Sequence, residues 1–315
     1  MSHILRIENL CTTVLAGGIY CFSFYRGTLG LNQYKESKQY YNNDIAVPVD
    51  HQLKSIIKKP DPPKSYFDRK QETEIFTVSG IDVISRGSIS SVWGSIIGIP
   101  INLNCKSVAD LEKEKITIDN QEINWDSPQG KQLGPLMIFS EKAKIFAVSR
   151  ELSKINDGLA FHEENIVAPI SLISGSMINY VLHEKLRFRR FALAYRFLVY
   201  SFVGLCYLRI REGMKFHKEL DGDTQAVNQS LELVEGGIEF INKLIEQNKT
   251  IPTVLGSEER PVYSYAIYGN DYNSWKTPET FLKIRRDALL KLQKELIEKN
   301  GKEIQENATG NHSAV

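Results

Sequence analysis

The stretch KIFAVSRELSKI, Lys144 to Ile155, carries charged side chains at the spacing that metal-dependent hydrolysis uses. In an H-E-x-x-H helix two imidazoles lie one turn apart on one face and hold zinc, with the glutamate beside them as general base. Here the frame is R-E-L-S-K, with Arg150 and Lys154 in the ligand positions and Glu151 in the base position. The chemistry is missing, because Arg150 stays protonated with no lone pair to donate and an ammonium at Lys154 repels Zn²⁺. Neither His162 in FHEEN nor His183 in LHEK has a histidine four residues away to make a helical pair. Two readings stay open. R-E-x-x-K is an ordinary set of i,i+3 and i,i+4 charges on a solvated helix face. Alternatively it is the remains of a metal site, with positive charge in the metal position and Glu151 or Asp221 paired to it.

Such a cluster needs elements to position it. Ala143, Phe146, Ala147, Arg150, Glu151 and Lys154 recur at helical spacing, so a helix starting at Ser140 carries the motif on a mixed apolar and charged face. Before it, Asp126 or Ser127 with Pro128 opens a shorter helix. EIFTVSGIDVIS and SVWGSIIGIPINL read as strands, and ITIDNQEINW reads as a hairpin turning at Asp119-Asn120. The G-x-P of SIIGIPINL is backbone geometry rather than a phosphate cradle, since no G-x-x-x-x-G-K-[ST] or G-x-G-x-x-G occurs. Downstream, Val227, Leu231, Val234, Ile238, Ile241 and Ile245 mark an amphipathic helix or helix pair broken at Gly236-Gly237. Thr277 and Pro278 open a last helix. The tail after Asn300 is small and polar and reads as disordered.

Three apolar segments dominate the rest. Leu10 to Tyr25 is uncharged and spans roughly 24 Å as a helix, just short of a hydrocarbon core of about 30 Å. Ile166 to Leu182 is uncharged, with small residues (Ala168, Ser171, Ser174, Gly175, Ser176) suited to close packing and Pro169 in its first turn. Phe191 to Ile210 comes after HEKLRFRR alone, so the two form a membrane hairpin, with Arg196 snorkelling toward the interface. The basic turn orients the hairpin, and its Lys185, Arg187, Arg189 and Arg190 could also bind anionic head groups such as cardiolipin. Tyr263, Tyr265, Tyr268, Tyr272 and Trp275 make an aromatic loop suited to an interface, a membrane surface or simple packing.

Charge excludes one partner class. With 39 basic against 38 acidic side chains, no global field points to nucleic acid. The cysteines Cys11, Cys21, Cys105 and Cys206 form no C-x-x-C or Cys/His cluster. They read as structural thiols, with Cys11, Cys21 and Cys206 in apolar stretches, and copper handling is the alternative.

Taken in order, INWDSPQGKQL, FSEKAKIFAVSREL, VEGGIEFINKL and RRDALLKL, placed around a short-looped hairpin, resemble the transmembrane protein 177 family. The resemblance covers roughly Ser88 to Leu296, and residues 31–75 match nothing. It implies a multi-pass protein of the mitochondrial inner membrane that supports cytochrome c oxidase biogenesis, stabilising newly made subunit II with its assembly factors and copper chaperones. It supplies no catalytic residues and no cofactor. More distantly, the order of RELSK, hairpin and LDGDTQAV is similar to HtpX/Oma1-like membrane zinc peptidases, in which a later helix gives the third ligand. Asp221 falls in that place, and Asp223 and Ala226 match the positions after it.

The expectation is an α-rich α+β membrane protein with three transmembrane helices and a soluble α/β body, on a degenerate zinc-peptidase fold if the second likeness holds. It divides into an N-terminal transmembrane helix (1–30), a polar linker (31–70), a soluble α/β segment (71–165), the hairpin (166–210), a soluble helical segment (211–299) and a disordered tail (300–315). The positive-inside rule places the short basic loop in the matrix and the body in the intermembrane space. A non-catalytic scaffold is the favoured function, and a membrane metallopeptidase with atypical ligands is the rival.

Overall fold

A small mixed sheet and a layer of helices share one core, and three long apolar helices project from it. The computed structural model describes residues 2–57, 73–114, 116–118, 121–156, 158–184, 192–227, 230–256 and 278–310. In chain order these give α1 (Ser2–Gly27), α2 (Leu31–Lys38), β1 (Tyr41–Asn42), β2 (Ile45–Ala46), α3 (His51–Ile57), β3 (Thr73–Val78), β4 (Ile84–Gly87) and β5 (Ser95–Pro100). Next come α4 (Ile101–Asn104), α5 (Val108–Lys113), β6 (Thr117–Ile118), β7 (Gln121–Glu122), α6 (Pro128–Met137) and α7 (Glu141–Asn156). The long helices are α8 (Gly158–Glu184), α9 (Ala192–Val227), α10 (Leu231–Val254) and α11 (Pro278–Gly310).

The sheet order is β3-β5-β4, with β3 parallel and β4 antiparallel to the central β5. All six residues of β5 are buried, which explains why SIIGIP runs apolar without alternating. Gly98 sits in it because a Cβ there would lie 2.5 Å from Val78 and 2.7 Å from Ile84 side-chain carbons. G-x-P is therefore a packing feature. The expected hairpin pairs Thr117 with Glu122 and Ile118 with Gln121, while its turn at 119–120 lies outside the described residues.

Helix α7 is the centre of the body. It packs on α10, α9, α3 and the sheet, burying Ala143, Phe146, Ala147, Val148 and Ile155. Phe240 of α10 packs against Phe139 and Phe146 with tilted rings, centroids 5.1 and 6.1 Å apart. Ser127 caps α6 by accepting from the Gly130 amide at 2.9 Å, with Pro128 at the first helical position.

Several expectations change. Residues 31–57 are not a linker: Leu31, Val49 and Leu53 are buried, Leu31 against Phe76, Val78 and Ile96. Widely spaced single apolar residues in a polar stretch leave little periodicity to read. The KKPDPPK segment lies outside the described residues. Gly236-Gly237 breaks nothing, because α10 is continuous and its glycines face α7. Residues 301–310, expected to be part of a disordered tail, are helical, since α11 runs to Gly310 through residues such as Lys302, Glu303, Gln305 and Glu306 that favour helix, and 311–315 lie outside the described residues. Thr277, expected to cap α11, is outside the described residues, as are the turn residues 185–190 and the aromatic loop residues 263–275.

Among the described residues two helices are long and apolar enough to cross a membrane, within Asn165–His183 and Leu193–Val227. Their apolar side chains face outward: Met177 is 68% and Phe197 73% exposed, while Gly175, Ser176 and Asn179 of α8 turn inward. A Cβ at Gly175 would stand 3.1 Å from a Tyr200 ring carbon of α9, so the bare glycine admits the close approach that small residues allow. Helix α1 lies along α8, burying Thr12 and Ala16 one turn apart and exposing Leu10, Val14, Leu15 and Phe22. Cys11 and Cys21 are exposed on this helix and Cys206 is half-buried, so none of the three thiols in apolar stretches is interior, and the buried one is Cys105. The exposed apolar surface of α8 and α9 is of the kind that suits a hydrocarbon surrounding. Helix α9 runs unbroken from the hairpin into the body, so no boundary falls at residue 210.

Candidate functional site

The R-E-L-S-K residues are interior. Arg150 and Glu151 are each 1% exposed, which removes the solvated-face reading. Helix α7 aims Arg150, Glu151 and Lys154 at a junction where the residues before β4, helix α9 and helix α11 converge. The guanidinium of Arg150 donates from Nη2 to Asp82 Oδ1 at 2.7 Å and from Nε to Glu151 Oε1 at 3.0 Å. It also lies 5.4 Å from the Phe240 ring centre. Lys154 Nζ lies 2.6 Å from Glu151 Oε1 and donates to Glu219 Oε1 at 2.5 Å. Ser85 Oγ donates to the other Glu151 oxygen at 2.6 Å. From α11, Arg285 grips Asp223 with two bonds of 2.6 and 2.7 Å and reaches Glu219 at 3.3 Å.

Three cations and four carboxylates thus form one network across four segments. Burial by itself disfavours the charged forms of Arg150 and Lys154, yet Asp82 and Glu151 around the first, and Glu151 and Glu219 around the second, outweigh it and raise both pKa values. Arg285 is raised in the same way by Asp223. The two positions that would ligate zinc are therefore fixed cations. Glu151, in the base position, is engaged as counter-ion to both cations, Oε1 meeting Arg150 and Lys154 while Oε2 accepts from Ser85. Among the described residues no group of three His, Cys, Asp or Glu side chains is placed to hold a metal ion. Cys105 is free and buried, its thiol pushed up to about 11 by burial and then by Glu114 and Asp110.

One expected member is absent. Asp221 is exposed, and Glu219 and Asp223 occupy the carboxylate places. Positions 219 and 223 are one turn apart on one face of α9, whereas 221 lies about 200° around from 219 at 100° per residue. Between them Gly222 lets α9 approach α7, since a Cβ there would fall 2.8 Å from the Lys154 stem. Reading the sequence missed Asp82, Ser85, Glu219 and Arg285 as members. A signal existed for two of them. Asp82 stands between Ile81 and Val83 in an apolar run, and Arg285 shares a helical stripe with Phe281, Leu282 and Leu289, all buried; a charge in such a place needs a partner. The lipid candidates Lys185, Arg187, Arg189 and Arg190 lie outside the described residues.

Asp82 is the surplus carboxylate. Burial raises its pKa, and Glu151 and Glu219 add to the rise against the opposing pull of Arg150. Because its folded pKa lies above the ordinary one, its proton-linked stability is present below the ordinary carboxylate pKa and is lost as pH rises through the folded value. Asp82→Asn keeps an acceptor for Arg150 and balances the network. It is expected to be neutral to stabilising by about 1 kcal/mol at neutral pH, an advantage that vanishes near the ordinary carboxylate pKa. Thermal unfolding of both proteins across pH 4 to 8 measures this (about the range over which such a group titrates), and an advantage growing toward acid would reverse the assignment.

Comparison with known proteins agrees with the motif order. The family model for transmembrane protein 177 matches residues 3–264. Transmembrane protein 177 of Danio rerio is 25% identical over 79% of this chain and 81% of its own. That of Rattus norvegicus is 24% identical over 72% of this chain and 73% of its own, and that of Homo sapiens 24% over 60% and 61%. No solved structure matches significantly, so the peptidase likeness gains no structural relative. With the family model covering most of the sequence, this chain belongs to the transmembrane protein 177 family.

Proposed function

We propose that this chain is a non-catalytic scaffold of the mitochondrial inner membrane that supports cytochrome c oxidase biogenesis, holding newly made subunit II together with its assembly factors and copper chaperones. The observation that carries the non-catalytic part is that the two positions where an active peptidase has its zinc ligands are the buried cations Arg150 and Lys154, both ion-paired to Glu151. A network of this kind couples four segments of the body and serves to fix their arrangement. The assembly role rests on the family alone. In this reading α1 is a third span, supported by its uncharged run and its exposed Leu10, Val14 and Phe22. The basic turn faces the matrix and the body lies in the intermembrane space.

Affinity purification of the full chain from mitochondria with mass spectrometry is expected to recover subunit II and oxidase-assembly proteins. If the bait inserts normally and no such component is enriched, the assembly role fails. The rival, a metallopeptidase with atypical ligands, makes a different demand on the same preparation, since it requires stoichiometric, chelator-removable zinc. A C-terminal epitope protected from protease in mitoplasts would reverse the orientation.

A further inference from the structure

The connection between β4 and β5, Ser88 to Gly94, reads SISSVWG and holds no charge. Its backbone closes on itself. The Ser88 amide donates to the Gly94 carbonyl at 3.2 Å, the Ser91 amide to that of Ser88 at 3.0 Å and the Gly94 amide to that of Ser91 at 3.1 Å. The seryl hydroxyls are engaged as well, Ser88 with Ser90 at 2.8 Å and Ser91 with the Trp93 amide at 3.2 Å. Gly87 before the loop and Gly94 at its end adopt φ of +87° and +75°, which the tight turn requires. Ile89 roots the loop on the body, packing on the core and donating its amide to the Ile155 carbonyl of α7 at 3.0 Å.

Val92 and Trp93 are exposed on this loop. Two exposed apolar residues alone mean little, but their position is specific. The Trp93 ring meets that of Phe24 edge-on, centroids 5.2 Å apart, and Phe24 stacks on Tyr20 at 6.1 Å. Three rings thus run from inside the uncharged stretch of α1 to the loop. That stretch ends at Tyr25 with Arg26 next, and α1 lies along α8, whose Asn165–His183 is long and apolar enough to cross a membrane. The loop therefore stands beside the end of an apolar helix run, where a bilayer passes from hydrocarbon to head groups. Tryptophan favours that layer, because its ring is apolar while its N–H takes a polar partner. A loop without charges enters it without stranding one, and backbone groups bonded to each other lose little there. Continuity with α1, on which Phe22 and Tyr25 are exposed, favours lipid over a protein partner.

We propose that the β4–β5 loop is a second contact of the body with the membrane, seating Val92 and Trp93 in the head-group layer beside the end of α1. The proposal rests on the reading of α1 as a span and is independent of the oxidase role.

The full chain with Trp125→Phe and Trp275→Phe keeps Trp93 as its one tryptophan. In phosphatidylcholine vesicles its emission is titrated with acrylamide in the water and with lipid brominated either near the head group or near the chain end. Head-group bromines are expected to quench Trp93 more strongly than chain-end bromines, and acrylamide to quench it less than free tryptophan. If the double variant does not fold, the difference in emission between the parent and Trp93→Phe reads the same quantity. Helix α1 is read separately, from an environment-sensitive fluorophore on exposed Cys11 in the variant Cys21→Ser with Cys206→Ser, which is expected to report hydrocarbon. Acrylamide access equal to that of free tryptophan would place the loop in water, and shielding from acrylamide and both bromines alike would place it under protein; either overturns the proposal. With the Cys11 fluorophore in hydrocarbon, those results sink the loop contact and leave α1 a span, whereas a Cys11 fluorophore in water removes both.

Discussion

Arg285→Gln is expected to destabilise the body by about 3–5 kcal/mol, the cost of leaving buried carboxylates without their cation. Arg285 is fully buried, and its loss strands Asp223, 1% exposed, together with one oxygen of Glu219. Lys154 still serves Glu219 but reaches no further. Glutamine keeps much of the volume, so the lost packing is small and the measured change reports charge. Adding Asp223→Asn removes the stranded carboxylate and should recover part of the loss, with a coupling of about 0.5–3 kcal/mol between neighbours of this kind. Asp221→Asn, two residues away but exposed, should stay within about 0.5 kcal/mol of the parent. Denaturation of the detergent-solubilised variants measures all three. A loss under about 1 kcal/mol for Arg285→Gln, the size of a surface pair, would mean that the network is solvated and is not a fixed interior.

Gly236→Ala is the second large effect, and two terms oppose each other in it. In an open helix the change favours helix by about 0.8–1.0 kcal/mol. Here the new Cβ would stand 2.5 Å from the Lys142 carbonyl oxygen and 3.0 Å from the Ala143 nitrogen, both backbone of α7. No rotamer relieves that contact, so α7 and α10 must separate. The crossing is also latched, by Ser140 Oγ to Glu239 at 2.5 Å and by Lys142 to Glu235 at 3.3 Å. Overpacking of this kind costs about 1–3 kcal/mol, and the net loss is expected near 2. Gly213→Ala, at a helical position with nothing within 4 Å, should lose nothing. Equal stability of Gly236→Ala and the parent in the same denaturation series would show that the crossing is loose.

Features with a local cause were legible in the order of residues. The RELSK helix and its apolar stripe, the Ser127-Pro128 start of α6 and the short-looped hairpin are set by residues within a turn or two of each other. Helical period and capping are read over that distance, and the order of these elements sufficed to point to the family. Partner choice was not legible there, because it depends on how the helices pack. Whether α9 offers Asp221 or the pair Glu219 and Asp223 depends on the rotation of that helix against α7, which no local pattern records. Asp82 lies 68 residues before Arg150, and Arg285 lies 62 beyond Asp223. Gly236-Gly237 looked like a break because glycine weakens a helix locally, yet the α7 backbone, 2.5 Å from where a Cβ of Gly236 would stand, turns the same residues into a crossing point. A charged helix face reads alike whether water or carboxylates surround it. Only folding, by removing the water, makes those charges choose one another.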